Sequence, residues 1–366
     1  MISVLLESHH LYYLPHFEPI VAELNRRGGY EIAASIPLTI GAGERRLFYE
    51  AVQRLGVESI TATDEEARID KLRQREFDIV IVGNVGKLEE IAAENSMVVM
   101  VYHGIGLKQS YYKDMSPRVD LRAVESEARF SELKAAGETN LVLCGLTKLD
   151  ALAGADKTSR DNLHQRWNLN PELPTVLYAP TFYPSSLEKL LPELPALADQ
   201  TNVLIKLHNF SWHQKRYKHQ SQMASEITER KEGMVLITPE EFDIIKFFHE
   251  TDILISDMSS TLFEFLVLNR PIIQTKFYTP KPRHRIFPWR LARRLDSKRA
   301  AGIDFTHSLN RPSDLLPVIK RLLEHPDAMA TVREAAAKRY LHKVDGQASS
   351  RLVDAIEEKL REKENC

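Results

Sequence analysis

Two stretches decide the reading of this chain: Val98-Val-Met-Val-Tyr-His-Gly-Ile-Gly-Leu-Lys108 and Asp252-Ile-Leu-Ile-Ser-Asp-Met-Ser-Ser-Thr-Leu-Phe-Glu264. Each is an apolar run that reads as a strand, followed by a polar turn and the start of a helix. A strand end opens a crevice, and a helix start offers backbone N–H groups with partial positive charge. Open α/β sheets bind phosphorylated ligands at such places. The stretches lie about 150 residues apart, which gives one to each of two domains.

Working outward, short strand-like runs alternate with helical patterns. Ile2 to Leu6, Glu31 to Ser35, Asp78 to Gly83, Met97 to Tyr102 and Leu141 to Cys144 form one set of expected strands. Thr175 to Ala179, Asn202 to Leu207, Met234 to Thr238, Asp252 to Ser256 and Pro271 to Thr275 form a second. Between them, Glu18 to Arg27, Glu125 to Ala136, Thr261 to Leu268 and Leu315 to Leu323 carry apolar residues at helical spacing. Strands without strict alternation, separated by helices, indicate parallel sheets covered on both faces. The two prolines of Trp167-Asn-Leu-Asn-Pro-Glu-Leu-Pro174 mark the expected boundary, giving domains over 1–168 and 169–344. After the turn signal Asp345-Gly346, Ala348, Leu352, Ile356 and Leu360 make a helical stripe, so 345–366 reads as a surface helix that closes the second domain, with a crossing back onto the first domain as the alternative.

A length of 366 residues exceeds one compact core and suits two domains. With 43% hydrophobic and 27% charged residues the composition is that of a soluble globular protein, and a formal net charge of -2 provides no global field for nucleic acid. Cys144 in an apolar run and Cys366 at the terminus do not look like a structural pair, which fits a reducing cytoplasm. The opening Met1-Ile-Ser-Val-Leu-Leu-Glu7 lacks the basic leader of a signal peptide, and no apolar run is long enough to span a bilayer. The expected location is cytoplasmic, with any membrane association peripheral on the inner face.

Several residues can carry chemistry. His103 follows an apolar strand, and Gly104 and Gly106 let a ligand approach the backbone. Lys108, Lys113 and Arg118 follow in the same loop and can neutralise phosphate oxygens. An imidazole there can act as general base on an acceptor hydroxyl; the plainer alternative is a histidine closing a turn. In the second stretch, Asp257, Ser259 and Ser260 can cap a helix beginning near Thr261, and the open N–H groups of that turn can hold a diphosphate. Glu264 on its first turn can accept bonds from ribose hydroxyls. Taken alone, the motif is also an ordinary helix cap. Lys206 and His208 end a third strand and can stabilise charge on a leaving phosphate, or simply sit at the surface. Tyr178-Ala-Pro-Thr-Phe182 ends a fourth, where Thr181 can bond a phosphate oxygen. Four strand ends directed at one crevice say more than any one of them. Finally, Lys281 to Leu295 interleaves Arg283, Arg285, Arg290, Arg293 and Arg294 with Phe287, Trp289 and Leu291. That mix suits an anionic lipid surface or a polyanionic acceptor, with a solvated loop as the equal alternative. No recognised nucleic-acid module surrounds it.

These residues resemble the CDP-glycerol glycerophosphotransferase family, the polymerases and primases of teichoic-acid synthesis. Members show His-Gly-Thr-Pro-Leu-Lys, here His103-Gly-Ile-Gly-Leu-Lys108; a strand ending Tyr-Ala-Pro-Thr, here Tyr178 to Thr181; and Lys-x-His-Pro, here Lys206-Leu-His-Asn209. They also show Asp-Tyr-Ser-Ser before a Phe-Asp/Glu-Phe run, here Asp257-Met-Ser-Ser-Thr-Leu-Phe-Glu-Phe265, and Asp-Gly-x-Ala-Ser-x-Arg, here Asp345 to Arg351. Gly106 and Asn209 stand where the family has proline, and a basic segment stands where it usually carries an acidic one. The resemblance implies a GT-B fold: two Rossmann-like domains with parallel sheets facing across a cleft, the acceptor on the first and the nucleotide mostly on the second. It implies His103 as base and His208 with the Ser259/Ser260 turn as holders of the pyrophosphate, without a metal or cofactor.

The expected function is transfer of a glycerol-phosphate or related polyol-phosphate group from a CDP-alcohol such as CDP-glycerol to a hydroxyl of a glycan or lipid-linked acceptor, releasing CMP. Transfer or epimerisation of a UDP-sugar on the same fold, and non-catalytic binding of nucleotide or anionic polymer, are the alternatives.

Overall fold

The computed structural model describes residues 1–107, 115–153, 164–281, 284, 286–287, 289 and 296–364. The chain divides into two compact units: Met1–Ile105 with Tyr111–Gly154 and Arg339–Cys366, and Gly106–Ser110 with Ala155–Lys338. Between these units the chain passes over after Gly154 and returns after Lys338.

Unit 1 holds seven strands: β1 (Ile2–Glu7), β2 (Tyr30–Ser35), β3 (Glu58–Ser59), β4 (Ile79–Val82), β5 (Met97–Val101), β6 (Leu121–Val124) and β7 (Leu141–Leu143). They run in the order β3-β2-β1-β4-β5-β6-β7, and every pairing is parallel. Unit 2 holds β8 (Thr175–Ala179), β9 (Asn202–Ile205), β10 (Met234–Leu236), β11 (Ile253–Ser256), β12 (Ile272–Thr275) and β13 (His307–Leu309), ordered β10-β9-β8-β11-β12-β13 and again all parallel. Central strands such as β4, β5, β8 and β11 are buried at every position, as their mostly apolar runs demand when helices cover both faces. The strands of each sheet pack into that unit's own apolar core, Val80, Val98 and Met100 among the residues of one, and Val176, Ile205 and Ile255 of the other.

Three strands lie outside the expected set. β3 is two residues long, and β13 (His-Ser-Leu) is a mostly polar edge strand. β6 contains Arg122, 1% exposed, whose guanidinium pairs with Glu138 at 3.2 Å and donates to the Ser116 carbonyl at 3.0 Å. A charged residue in the middle of a short run hides the apolar signal. The expected helix Thr261 to Leu268 is one α-turn, Thr261–Glu264, continued as a 3-10 segment, Phe265–Leu268.

The helix Ala348–Glu364 belongs to unit 1. Leu352, Val353 and Ile356 are fully buried, and the helix lies along Leu14–Arg27. Arg27 reaches Asp354 at 2.7 Å and Glu357 at 3.0 Å, and the Tyr30 hydroxyl donates to Glu357 at 3.0 Å. Asp150 accepts the opening N–H groups of Ala348 (2.9 Å) and Ser349 (2.8 Å). Arg351 grips Asp345 at 2.9 Å and the Cys144 carbonyl at 2.8 Å. The Asp345–Arg351 motif is therefore the fastening of this helix.

Candidate active site

In each sheet the chain lays strands to one side of a first strand and then switches to the other. That switch opens a crevice at the strands' carboxyl ends. In unit 1 it falls between β1 and β4, in unit 2 between β8 and β11.

In unit 1, β5 delivers His103, which is half-buried, and Gly104 follows with φ +113°, a conformation that favours glycine. The His103 ring lies 4.6 Å from Tyr13 and 5.1 Å from Tyr12, centroid to centroid. His16, 1% exposed, stands nearby; burial first, then the charges of Lys148 and His103, hold its imidazole well below the usual histidine range. It is a neutral core group at pH 7. Of the expected loop cations, Lys108 and Lys113 lie outside the described residues. Arg118 is a correction: its guanidinium donates to the carbonyls of Ala93 and Ser96 (2.8 Å to Ser96), just before β5 begins. It sits at the opposite end of the strand from His103 and serves the sheet's amino edge.

In unit 2, the ends of β9, β8 and β11 adjoin. His208 closes the turn after β9: its Nδ1 accepts the Phe210 N–H at 3.1 Å, so the neutral ring carries its proton on Nε2 and can donate there. Phe182 and Phe210 flank it at 4.7 and 5.0 Å. Lys206 is buried, with Nζ donating to the Leu207 carbonyl at 3.2 Å. Ser259 Oγ lies 2.9 Å from the Thr261 hydroxyl and accepts the Thr261 N–H at 3.3 Å, while Ser260 donates to Glu264 at 2.9 Å. Glu264 is 1% exposed and braces Ser260 from inside, so the expected contact with ribose hydroxyls is not available to it as placed.

Asp257 does not cap the helix as expected. Its carboxylate turns inward and accepts the Thr181 N–H (2.7 Å), the Ser186 N–H (3.0 Å) and the Ser186 hydroxyl (3.0 Å). The Tyr178 hydroxyl, 2.9 Å from Ser186 Oγ, completes the chain as donor. Burial pushes the Asp257 carboxyl up to about 6 despite these donors. Asp257 thus ties the loop after β8 to the end of β11, and positions Thr181 across the switch point.

The basic segment is anchored beside the same aromatic group. Lys281 Nζ donates to the Tyr217 hydroxyl at 2.9 Å and lies over the rings of Tyr183 (4.6 Å) and Tyr217 (4.5 Å); Tyr217 contacts Phe182 at 5.1 Å. The Tyr183 hydroxyl also bonds His284 Nδ1. Beyond this anchor Ile286, Phe287 and Trp289 are exposed, Trp289 by 52%. Arg283, Arg285, Arg290, Arg293 and Arg294 lie outside the described residues.

A family model described as CDP-glycerol:poly(glycerophosphate) glycerophosphotransferase matches residues 78–358, which include His103, the three strand ends of unit 2 and the Asp345–Arg351 motif. The chain belongs to this family. The glycerophosphotransferase has the α/β, GT-B-like fold seen in solved structures of low identity. The wall teichoic acid polymerase TagF superposes with a TM-score of 0.70 at 16% identity, over 99% of this chain and 89% of that one. A putative UDP-N-acetylglucosamine 2-epimerase from Listeria monocytogenes gives 0.63 at 14%, over 99% and 97%. The UDP-GlcNAc 2-epimerase from Neisseria meningitidis gives 0.60 at 13%, over 98% and 100%. No curated protein matches by sequence.

Sequence reading passed over the loop after β1 of the glycerophosphotransferase, where His9, His10, Tyr12 and Tyr13 gather at the unit 1 switch point, and over Lys281 as an anchor. The signal for the first was present: three imidazoles, His9, His10 and His16, crowd the end of the opening strand.

Proposed function

We propose that this glycerophosphotransferase moves glycerol phosphate, or a related polyol phosphate, from a CDP-alcohol to a hydroxyl of a glycan or lipid-linked acceptor in cell-surface polymer synthesis. The family match over residues 78–358 carries this reading. It is supported by a variant of the TagF polymerase, alike in fold at a TM-score of 0.68 and 15% identity, having been soaked with CDPG. In the reaction the acceptor oxygen forms a bond to the β-phosphorus. The bond from that phosphorus to the bridging oxygen breaks, CMP leaves, and the hydroxyl proton passes to His103. Gly104 and Lys108 serve the phosphates on the His103 side. In unit 2, His208 donates to the diphosphate from Nε2, aided by Thr181 and the Ser259–Thr261 turn, with Lys206, Asp257 and Glu264 holding that surface in place.

We also assign the exposed Ile286, Phe287 and Trp289 with their neighbouring arginines to an anionic membrane surface, at the inner face where a lipid-linked acceptor would be met. Among the described residues no helix is long and apolar enough to cross a membrane.

Purified protein is offered CDP-glycerol, CDP-ribitol and UDP-sugars with a soluble acceptor. Release of CMP from a CDP-alcohol is the expected result; UDP release, or binding without turnover of any donor, would reject the assignment in favour of a sugar-nucleotide enzyme or a binding protein.

A further inference from the structure

The chain that follows β12 is laid across the loop that follows β8, a contact with no role in the scheme above. Thr279 donates its N–H to the Ser185 carbonyl at 2.9 Å, in an isolated antiparallel bridge. Two residues on, the Lys281 N–H reaches the Tyr183 hydroxyl at 3.2 Å, and Lys281 Nζ lies 4.6 Å from the centre of that ring. The same Nζ donates to the Tyr217 hydroxyl at 2.9 Å and stands 4.5 Å from the centre of the second ring. One ammonium thus holds two tyrosines from separate passages of the chain: Tyr183 in the loop after β8, and Tyr217 in the 3-10 turn Lys215–Tyr217.

Those tyrosines lead to the strand ends of unit 2. Tyr217 packs on Phe182 at 5.1 Å, and Phe182 packs on His208 at 4.7 Å and on Phe210 at 4.8 Å. Gln220, 2% exposed, ties the same two loops: its Nε2 donates to the Phe182 carbonyl at 3.1 Å, and its Oε1 accepts from the Ser211 hydroxyl at 2.6 Å, just past His208. On the other side of Phe182, the Thr181 N–H goes to Asp257. The loop after β8 is therefore tied to β11 from within and clasped by Lys281 from without.

We propose that Lys281 is a positioning residue for the donor: by clasping Tyr183 and Tyr217 it fixes Phe182, and through Phe182 it sets the His208 imidazole towards the diphosphate of a CDP-alcohol, a role that rests on the reading of the protein as a CDP-alcohol transferase. Lys281 touches no reacting atom in this arrangement. Two jobs then divide one segment: Lys281 serves the site, and the exposed Ile286, Phe287 and Trp289 serve the surface.

The test compares wild type with three variants. Lys281→Met keeps the stem and removes the ammonium, Lys281→Arg restores a cation with donors, and Tyr217→Phe keeps the ring and removes the hydroxyl. Calorimetry reads CDP-glycerol binding, and CMP release with a soluble acceptor reads kcat and both KM values. Lys281→Met is expected to weaken CDP-glycerol binding about fivefold and to raise its KM to match, within the range for one lost hydrogen bond, while KM for the acceptor is unchanged. Tyr217→Phe should show part of the same loss, and Lys281→Arg should recover most of it. In a His208→Ala background, Lys281→Met should add no further loss, because the two residues act in series. The His208 ring signals in a nuclear magnetic resonance spectrum of the ligand-free protein should also move in Lys281→Met. Unchanged donor affinity, or unmoved His208 signals, overturns the proposal. So does a full further loss in the His208→Ala background, or an equal rise in both KM values, which would mark general loosening. If wild type binds no CDP-glycerol, the functional reading fails by itself, and the His208 signals still decide whether Lys281 sets that ring.

Discussion

His103 follows a strand with no exposed residue and rests on the rings of Tyr12 and Tyr13, so its replacement removes the proposed proton acceptor while leaving the sheet intact. His103→Ala is expected to lower kcat about 10²–10⁴-fold while CDP-glycerol binds as before in calorimetry. His208→Ala should instead weaken CDP-glycerol binding together with turnover, because its Nε2 is assigned to the donor's phosphates. Equal binding losses in both variants would merge the two roles and contradict the assignment. Asp257 gives a pH signature. Its folded carboxyl stands at about 6 against an ordinary value of 3.8, so between those values the folded state holds the proton that the unfolded chain has lost. Stability from this group therefore falls as pH rises from about 4 to about 6, by on the order of 3 kcal/mol once both forms are ionised. Thermal melts of wild type and Asp257→Asn across pH 4 to 8 should differ by a term confined to that window. Parallel curves would mean that the burial of Asp257 is not felt as a proton affinity.

Among the elements, long apolar strands were legible and short or charged ones were not. β4, β5, β8 and β11 announce themselves as mostly apolar, Val-, Ile-, Leu- or Met-rich runs because both faces are covered. β6 stays hidden because Arg122 interrupts it, its charge met by Glu138, which lies outside the strand. The site divides in the same way. The placement of His103, Thr181 and His208 just after strands could be read from the sequence. The inward turn of Asp257 and Glu264 could not, since the partners Ser186 and Ser260 set it through the folded loops. The Asp345–Arg351 motif is a related case: legible as a pattern, it proves to be a fastening. Asp150→Ala removes the acceptor for two N–H groups that open the helix Ala348–Glu364. It is expected to cost about 1–2 kcal/mol in denaturant unfolding. Amide exchange in that helix should rise before exchange in the β8–β11 core does. A variant as stable as wild type would show that Arg351 and the Arg27 pairs suffice.

For the whole molecule, net charge is nearly balanced, so attraction to an anionic surface has to come from a local patch. The exposed Ile286, Phe287 and Trp289, close to the anchor at Lys281, supply apolar tips, and each neighbouring arginine adds on the order of 1 kcal/mol near anionic lipid. Binding to vesicles rich in anionic lipid is expected at low salt and should fade as the screening length shortens. Phe287→Ser with Trp289→Ser should weaken it while sparing transfer to a soluble acceptor. Loss of that transfer instead would move the segment into the active site, next to the Phe182–Tyr217 aromatic group on which Lys281 rests. The order of the chain has a further consequence. Unit 1 is written in separate passages, and its last helix is held by Arg27 and Tyr30 near the beginning and by Asp150 further along. Unit 2 is complete by Lys338. During synthesis the later-written unit can therefore finish folding first, while the earlier one waits, with the groove along Leu14–Arg27 uncovered, for the final helix to leave the ribosome.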